Sequence, residues 1–540
     1  MTESNYPFWN QTNFRIRSAQ LISYLADAGF GKYQSEDGRN ASTQIMKNES
    51  GVIQLHSLES VKRWIIKDVS NDPELDDETI IEIKDVLVRF TTSTLKGWLE
   101  SLPRFSSKGF EDTYPIAFFR DGAKDCYIPF KNGVVHITRD GINMYPLEKL
   151  IDKGCVWESS IISHNIELAP NQLLNKQSPF SDFVSYAMKR DVKPLSRDNN
   201  RKLGTDTSTY KSALESFETS YGYMIHSYNP FDEQKLVVYA DVNSTPERTE
   251  GGNGKSVAMD SLKYYRKTAF IDGGGFRKSK SDSSRFNFTN VKLDTGFIFI
   301  NDLNKDFELR QLFSVITEDL TIEYKGKDKI VIPKDKKPKL GVTTNYVITG
   351  LGNSFERRQH IVEFGDFFNL AKKKNLYPKD IIGKTLFNHE FIEEDWNDFY
   401  NYGFYCVQQY LTKGLRNSQN NNYQRKTLIQ TIEGIGGDGT VVDWIDKYLT
   451  TTRIAQKHYD IGIQIDELYA LFSIDNPDAV SKGWDTSRFK DALFDYVKHL
   501  PDYDYNPHLS GNGDTRSLRR WRKGERGLQR EYVRITSLKD

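Results

Sequence analysis

The residues most able to do chemistry are Glu250-Gly251-Gly252-Asn253-Gly254-Lys255-Ser256, set between the apolar run KLVVYA at 235–240 and a helix-like run at 256–265. A strand, a glycine-rich bend and a helix in that order make a phosphate cradle. Glycines let several backbone N–H groups converge on one anion, the helix start adds partial positive charge, and Lys255 supplies a full one. Ser256 offers a hydroxyl to the magnesium that travels with a nucleotide. The pattern G-x-x-x-x-G-K-[ST] is complete except at its first position, where Thr249 stands in place of glycine. Threonine serves there if the backbone needs no positive φ. The plainer alternative for the same residues is a glycine-rich surface turn with a solvated lysine.

Three further segments follow in an informative order. TGFIFIND at 295–302 is an apolar run of strand length ending in a polar pair, as expected of a buried parallel strand that delivers side chains at its carboxyl edge. Asp302 there would hold magnesium through water or polarise an attacking water. PKLGVTTN at 338–345 reads as another strand, ending in Asn345, whose amide can orient a water near the terminal phosphate. The pair Arg357-Arg358 precedes a strand-like run at 361–364 and could reach the nucleotide of a neighbouring subunit. Between these elements, TIEYKGKDKIVIP at 321–333 alternates apolar and polar residues around a Gly-containing tip, the signature of a β-hairpin. Its tip carries Lys325, Lys327 and Lys329.

With these elements in this order, GGNGKS, FIFIND, the lysine hairpin, KPKLGVTTN and SFERR, residues 235–369 resemble the superfamily 3 helicases. These are hexameric AAA+ ATPases of small viruses, phages and mobile elements, and the likeness is greatest to the helicase half of phage and plasmid primase-helicases. The resemblance implies an α/β P-loop (AAA+) ATPase core. It implies ATP and Mg2+ as ligands, with Lys255 and Ser256 as the Walker A lysine and metal-binding hydroxyl. Asn301 and Asp302 match the Walker B pair, Asn345 the sensor 1 asparagine, and Arg357 or Arg358 the arginine finger. The hairpin lysines Lys325, Lys327 and Lys329 would grip the phosphodiester of one strand in a central pore, largely without regard to sequence. Asn301 departs from the family, which carries an acid there. An amide brings no negative charge, so Asp302 alone must do the acidic work and turnover is expected to be slow.

Stepping outward, a chain of 540 residues suggests three or four units at ~150 residues each. The apolar share of 37% suffices for packed cores, and no run approaches the ~20 apolar residues of a membrane span. Neither is there a signal pattern at the N-terminus. Cys126, Cys155 and Cys406 are too far apart in sequence for a C-x-x-C zinc site or a disulfide framework, which fits a reducing bacterial cytoplasm. The 74 basic and 74 acidic residues cancel, so any nucleic-acid contact must be a local channel, not a coat over the whole surface.

The expected units are a mostly helical region over 1–110, a mixed α+β segment over 111–200, the ATPase over 201–370, a helical layer over 371–455, and a winged-helix-like basic unit over 456–540. Asp76, Asp77 and Glu78 read as a helix start, where acids favour the dipole. The segment PFKNGVV at 129–135 resembles the stretch before the ATPase in phage primase-helicases. The aromatics Trp396, Phe399, Tyr400, Phe404 and Tyr405 fall at helical spacing and read as core. In the last unit, Arg516, Arg519, Arg520, Arg522 and Lys523 surround Trp521, a mixture suited to phosphate contact with one stacking surface.

The expected function is an ATP-dependent DNA helicase or translocase acting in the replication of a phage or mobile element. It would be a homo-oligomer, a ring hexamer, on single-stranded or forked DNA, with a separate primase or polymerase and no membrane. The alternatives are an ATP-gated replication initiator or loader with little unwinding, and a metabolic P-loop kinase.

Overall fold

The computed structural model describes residues 8–10, 12–33, 44–73, 75–106, 113–170, 178–189, 208–230, 234–242, 251–276, 288–304, 307, 309–323, 329–346, 348, 357–418, 422–434, 437–451, 463–498, 503–505, 518–521, 529–533 and 535–537. At its centre lie five parallel strands, β1 (Leu236–Asp241), β2 (Thr268–Asp272), β3 (Phe297–Leu303), β4 (Lys339–Thr344) and β5 (Gln359–Phe364), in the order β2-β3-β4-β1-β5. Every residue of β1 and β4 is buried, because their sequences LVVYAD and KLGVTT are covered on both faces. Alternation along β1 sends Val237 and Tyr239 into one core and Leu236, Val238 and Ala240 into the other.

Helices α1 (Pro179–Ala187), α2 (Ser208–Ile225), α3 (Lys255–Asp260), α4 (Pro378–Ile382) and α5 (Glu393–Lys413) accompany this sheet. α2 and α5 cross closely. A Cβ added at Gly222 would lie 2.1 Å from the Cys406 carbonyl oxygen, so only glycine lets the two backbones meet. The aromatics of α5 are core, as their spacing implied: Phe399, Tyr400 and Phe404 are buried, and Trp396 and Tyr405 pack against the same cluster. Phe399 meets Phe180 of α1 edge to face at 5.0 Å, and the Tyr265 hydroxyl donates to the Phe399 carbonyl at 2.6 Å. The unit around the sheet therefore extends beyond 201–370, taking in α1 before it and α5 after it. Periodicity shows that a helix has an apolar face but not which partner covers it.

Glu218 on α2 is buried in this aromatic layer beside the Tyr402 hydroxyl. Burial raises its carboxyl from 4.5 to about 7, against the pull of Lys413. The native state thus holds this proton more tightly than the unfolded chain does. Its contribution to stability is fully present below about pH 4.5 and is lost as pH rises through about 7. Glu218→Gln should flatten that fall and raise stability at pH 8 by up to about 3 kcal/mol. Thermal melts across pH 4 to pH 8 check it, and parallel profiles for the two proteins would refute it.

Residues 1–110 carry the expected helices and, beside them, a sheet that the sequence reading did not include. Helices Ser18–Asp27, Leu58–Ser70, Asp77–Arg89 and Thr92–Leu99 are present, but so is a sheet in the order Val156–Trp157, Val52–His56, Ile45–Glu49, Phe30–Tyr33, Arg104–Ser106 and Thr113–Pro115. Its central hairpin turns at Ser50-Gly51, both at positive φ (51° and 89°), a geometry that matches strand twist. IMKNE and VIQLH are short and weakly alternating, which is why their periodicity carried little strand signal. Asp76 caps its helix by accepting from the Thr79 N–H at 2.7 Å. Asp125–Phe130, Gly133–Thr138 and Ile142–Tyr145 form an antiparallel sheet whose first turn is the Lys131-Asn132 of PFKNGVV.

At the other end, α6 (Asn422–Glu433), α7 (Thr440–Thr451), α8 (Ile465–Asp475) and α9 (Thr486–Val497) enclose a core that includes Phe472 and Phe489. The Glu433 carboxylate ties α6 to α7 by accepting from the N–H groups of Gly439, Val441 and Val442, each at 2.9 Å. Three antiparallel strands, Ile463–Gln464, Gln529–Val533 and Leu518–Trp521, complete the unit. Arg519, Arg520 and Trp521 lie on the last of these, while Arg516, Arg522 and Lys523 lie outside the described residues.

Candidate functional site

The carboxyl ends of β1, β3 and β4 converge on one cavity of about 700 Å³, a size suited to a small-molecule ligand. In open parallel sheets, ligands bind outside this edge because the loops that leave it are free to vary. The loop after β1 is described from Gly251 onward; Thr249 and Glu250 lie outside the described residues. Gly254 closes the loop at φ 94°, and a Cβ there would also stand 2.4 Å from the Phe183 ring. Both constraints call for glycine. α3 starts at the next residue, which sets Lys255 and Ser256 at the head of a helix.

Lys255 is buried, with its ammonium between the Asp241 carboxylate, to which it donates, and Asn345 Oδ1 at 2.9 Å. Asn345 bridges: its Nδ2 donates to Asp302 Oδ1 at 3.0 Å. A second strand of bonds runs alongside. The Ser256 hydroxyl donates to Asn301 Oδ1 at 2.8 Å, and the Thr343 hydroxyl donates to the same oxygen at 2.9 Å. Two adjacent residues of β3 reach different partners because the strand is irregular there. Its register with β4 shifts between Ile300 and Leu303, Asp302 takes φ 58°, and its N–H donates to the Thr343 hydroxyl at 3.0 Å.

The structure thus gathers Gly251, Gly252, Gly254, Lys255, Ser256, Asn301, Asp302 and Asn345 around one cavity. Asn253 faces inward instead, donating from Nδ2 to Asp241 Oδ1 at 3.0 Å. The rest of the wall mixes apolar residues, Phe183 of α1, Tyr377 and Ile382 at α4 and Leu386, with Lys379, Lys384 and Thr385. Sequence reasoning missed that wall, along with Asp241 and Thr343. Asp241 had a signal, as the one acid ending the VVYAD strand before the loop. The rest of the wall had none, because its residues come from segments far apart in the chain.

Arg357 and Arg358 are not brought to this cavity. They precede β5, at the amino edge of the sheet, with Arg357 exposed and the Arg358 guanidinium 4.5 Å over the Phe313 ring. Burial, then Arg357, lowers the Arg358 pKa. The lysine hairpin pairs Leu320–Ile322 with Ile330–Ile332, Leu320 opposite Ile332. Lys329 is exposed beside it, and Lys325 and Lys327 lie outside the described residues.

No protein-family model and no curated protein matches the chain. Three solved structures, described as apo structures of the NrS-1 C-terminal region, are similar at 9–10% identity with a TM-score of 0.39. They cover 95–96% of this chain and 98–99% of their own. A likeness that low carries neither fold nor activity across. Among the described residues, no helix is long and apolar enough to cross a membrane.

Proposed function

We propose that this chain is an ATP-driven DNA translocase of the superfamily 3, AAA+ type, working in replication as a ring hexamer on single-stranded or forked DNA. The observation that carries the reading is the meeting of Lys255, Ser256, Asn301, Asp302 and Asn345 at one carboxyl edge, although they are up to 90 residues apart in sequence. A surface turn with a solvated lysine would show neither the buried ammonium nor these partners.

In this reading, Lys255 and the loop N–H groups bind the triphosphate, and the Phe183, Tyr377 and Ile382 wall takes the base. Asp302 accepts a proton from the attacking water, and Asn345 holds the Asp302 carboxylate in place. The oxygen set of Ser256, Asn301 and Asp302 suits magnesium, a hard cation that screens phosphate charge. Arg357, exposed and remote from its own chain's cavity, suits service to a neighbour's nucleotide, so hydrolysis should need the assembled ring. The hairpin lysines Lys325, Lys327 and Lys329 would grip one DNA strand. The helices α8 and α9 with their antiparallel sheet support a winged-helix module for duplex DNA.

One observation favours the second reading, an ATP-gated initiator or loader with little turnover. Asn301 accepts from Ser256 where an acid would bring charge. Asn301→Asp should therefore raise kcat several-fold and lower the magnesium needed for half-maximal rate, measured by phosphate release. An equal or slower variant would remove Asn301 as the brake. DNA-stimulated ATPase activity together with strand displacement on a forked duplex tests the motor. ATP-dependent binding without displacement would favour the loader, and indifference to DNA a metabolic kinase.

A further inference from the structure

Asp241 ends β1 and is only 6% exposed, so its carboxylate is costly unless paired. Both its oxygens meet the loop that follows: Oδ1 accepts from Asn253 Nδ2 at 3.0 Å, and Oδ2 pairs with the Lys255 ammonium. Lys255 is itself 5% exposed, and Asn345 Oδ1 takes another of its protons at 2.9 Å. A triphosphate entering the cavity needs the same ammonium. Carboxylate and phosphate repel each other strongly where water is scarce, so the two anions cannot share that cation without cost. Asn301 adds no charge, and Asp302 is held to Asn345. Among the described residues, Asp241 is the carboxylate paired with the lysine.

We propose that Asp241 is a built-in competitor of the nucleotide for Lys255. It holds the ammonium between turnovers, yields it to the phosphates on binding, and retakes it as the product leaves. Asn253 keeps the carboxylate aimed. The effect is to weaken ground-state affinity and speed release. The inference rests on the loop's being a triphosphate cradle.

The test titrates magnesium-ATP and magnesium-ADP into the intact chain, wild type and Asp241→Asn, with release of a fluorescent ADP followed by stopped flow. Asp241→Asn should bind about tenfold tighter and release ADP more slowly in proportion, as expected when one buried ionic rival is removed. Without added nucleotide, its Tm should fall. A residue that merely ties the loop would lower stability and affinity together; that outcome, or an unchanged Kd, overturns the proposal. If the wild type itself binds no nucleotide, the cradle reading has failed and the inference falls with it. If Asp241→Asn does not fold, the double variant Asp241→Asn/Lys255→Met decides. Recovery of folding shows that the carboxylate was there to neutralise Lys255, and failure of the double variant makes Asp241 a scaffold residue and sinks the idea.

Discussion

Lys255→Ala should raise the Kd for magnesium-ATP at least ~100-fold and abolish hydrolysis, because a buried, charge-assisted contact to phosphate is worth about 3 kcal/mol or more. The geometry makes the effect sharp. Lys255 is the cation bonded to Asn345, and Asn345 is bonded to Asp302, so its loss removes the phosphate's partner and frees the amide that steadies the acid. It also leaves the Asp241 carboxylate buried without this partner, which should lower Tm as well. A fluorescent-nucleotide titration with a parallel melt separates the two effects. Binding within threefold of wild type by a folded variant would show that Lys255 faces structure and not ligand.

The second large effect falls on rate alone. Asp302→Asn keeps the side chain's shape and its bond with Asn345 but removes the base, so kcat should fall ~100-fold to ~1,000-fold while the Kd for ATP stays within a few-fold. Asp302 suits this role because the irregularity in β3 turns it away from Asn301 and toward Asn345, leaving it accessible to water. Single-turnover hydrolysis at saturating ATP is the appropriate measurement. If kcat holds and affinity drops, Asp302 is a ligand holder, and the proton acceptor must be sought elsewhere.

What could be read in advance follows from how local each signal is. The bend at 251–256 and the apolar strands at β1, β3 and β4 announce themselves within a few residues, and the structure places them within a residue or two of the sequence reading. The link from Ser256 to Asn301, and from Lys255 to Asn345, could only be inferred from the family order. The sequence alone contained no term for which strands become neighbours. Asp241 was passed over because a single acid at a strand end resembles any solvent-facing terminus, and only the fold shows it buried against Lys255. The N-terminal sheet was missed for another reason: strands of five residues or fewer on a half-covered sheet alternate too briefly to stand out from neighbouring helices. The sequence carries no local sign that α5, beyond the last motif, packs on α2 through Gly222.

The most direct check on the whole account is a calorimetric titration of the intact chain with magnesium-ATP. The account predicts saturable binding, one nucleotide per chain, with a Kd in the micromolar range that Lys255→Ala destroys. Absence of saturable heat up to millimolar ATP, or binding that survives Lys255→Ala in a folded protein, would contradict it.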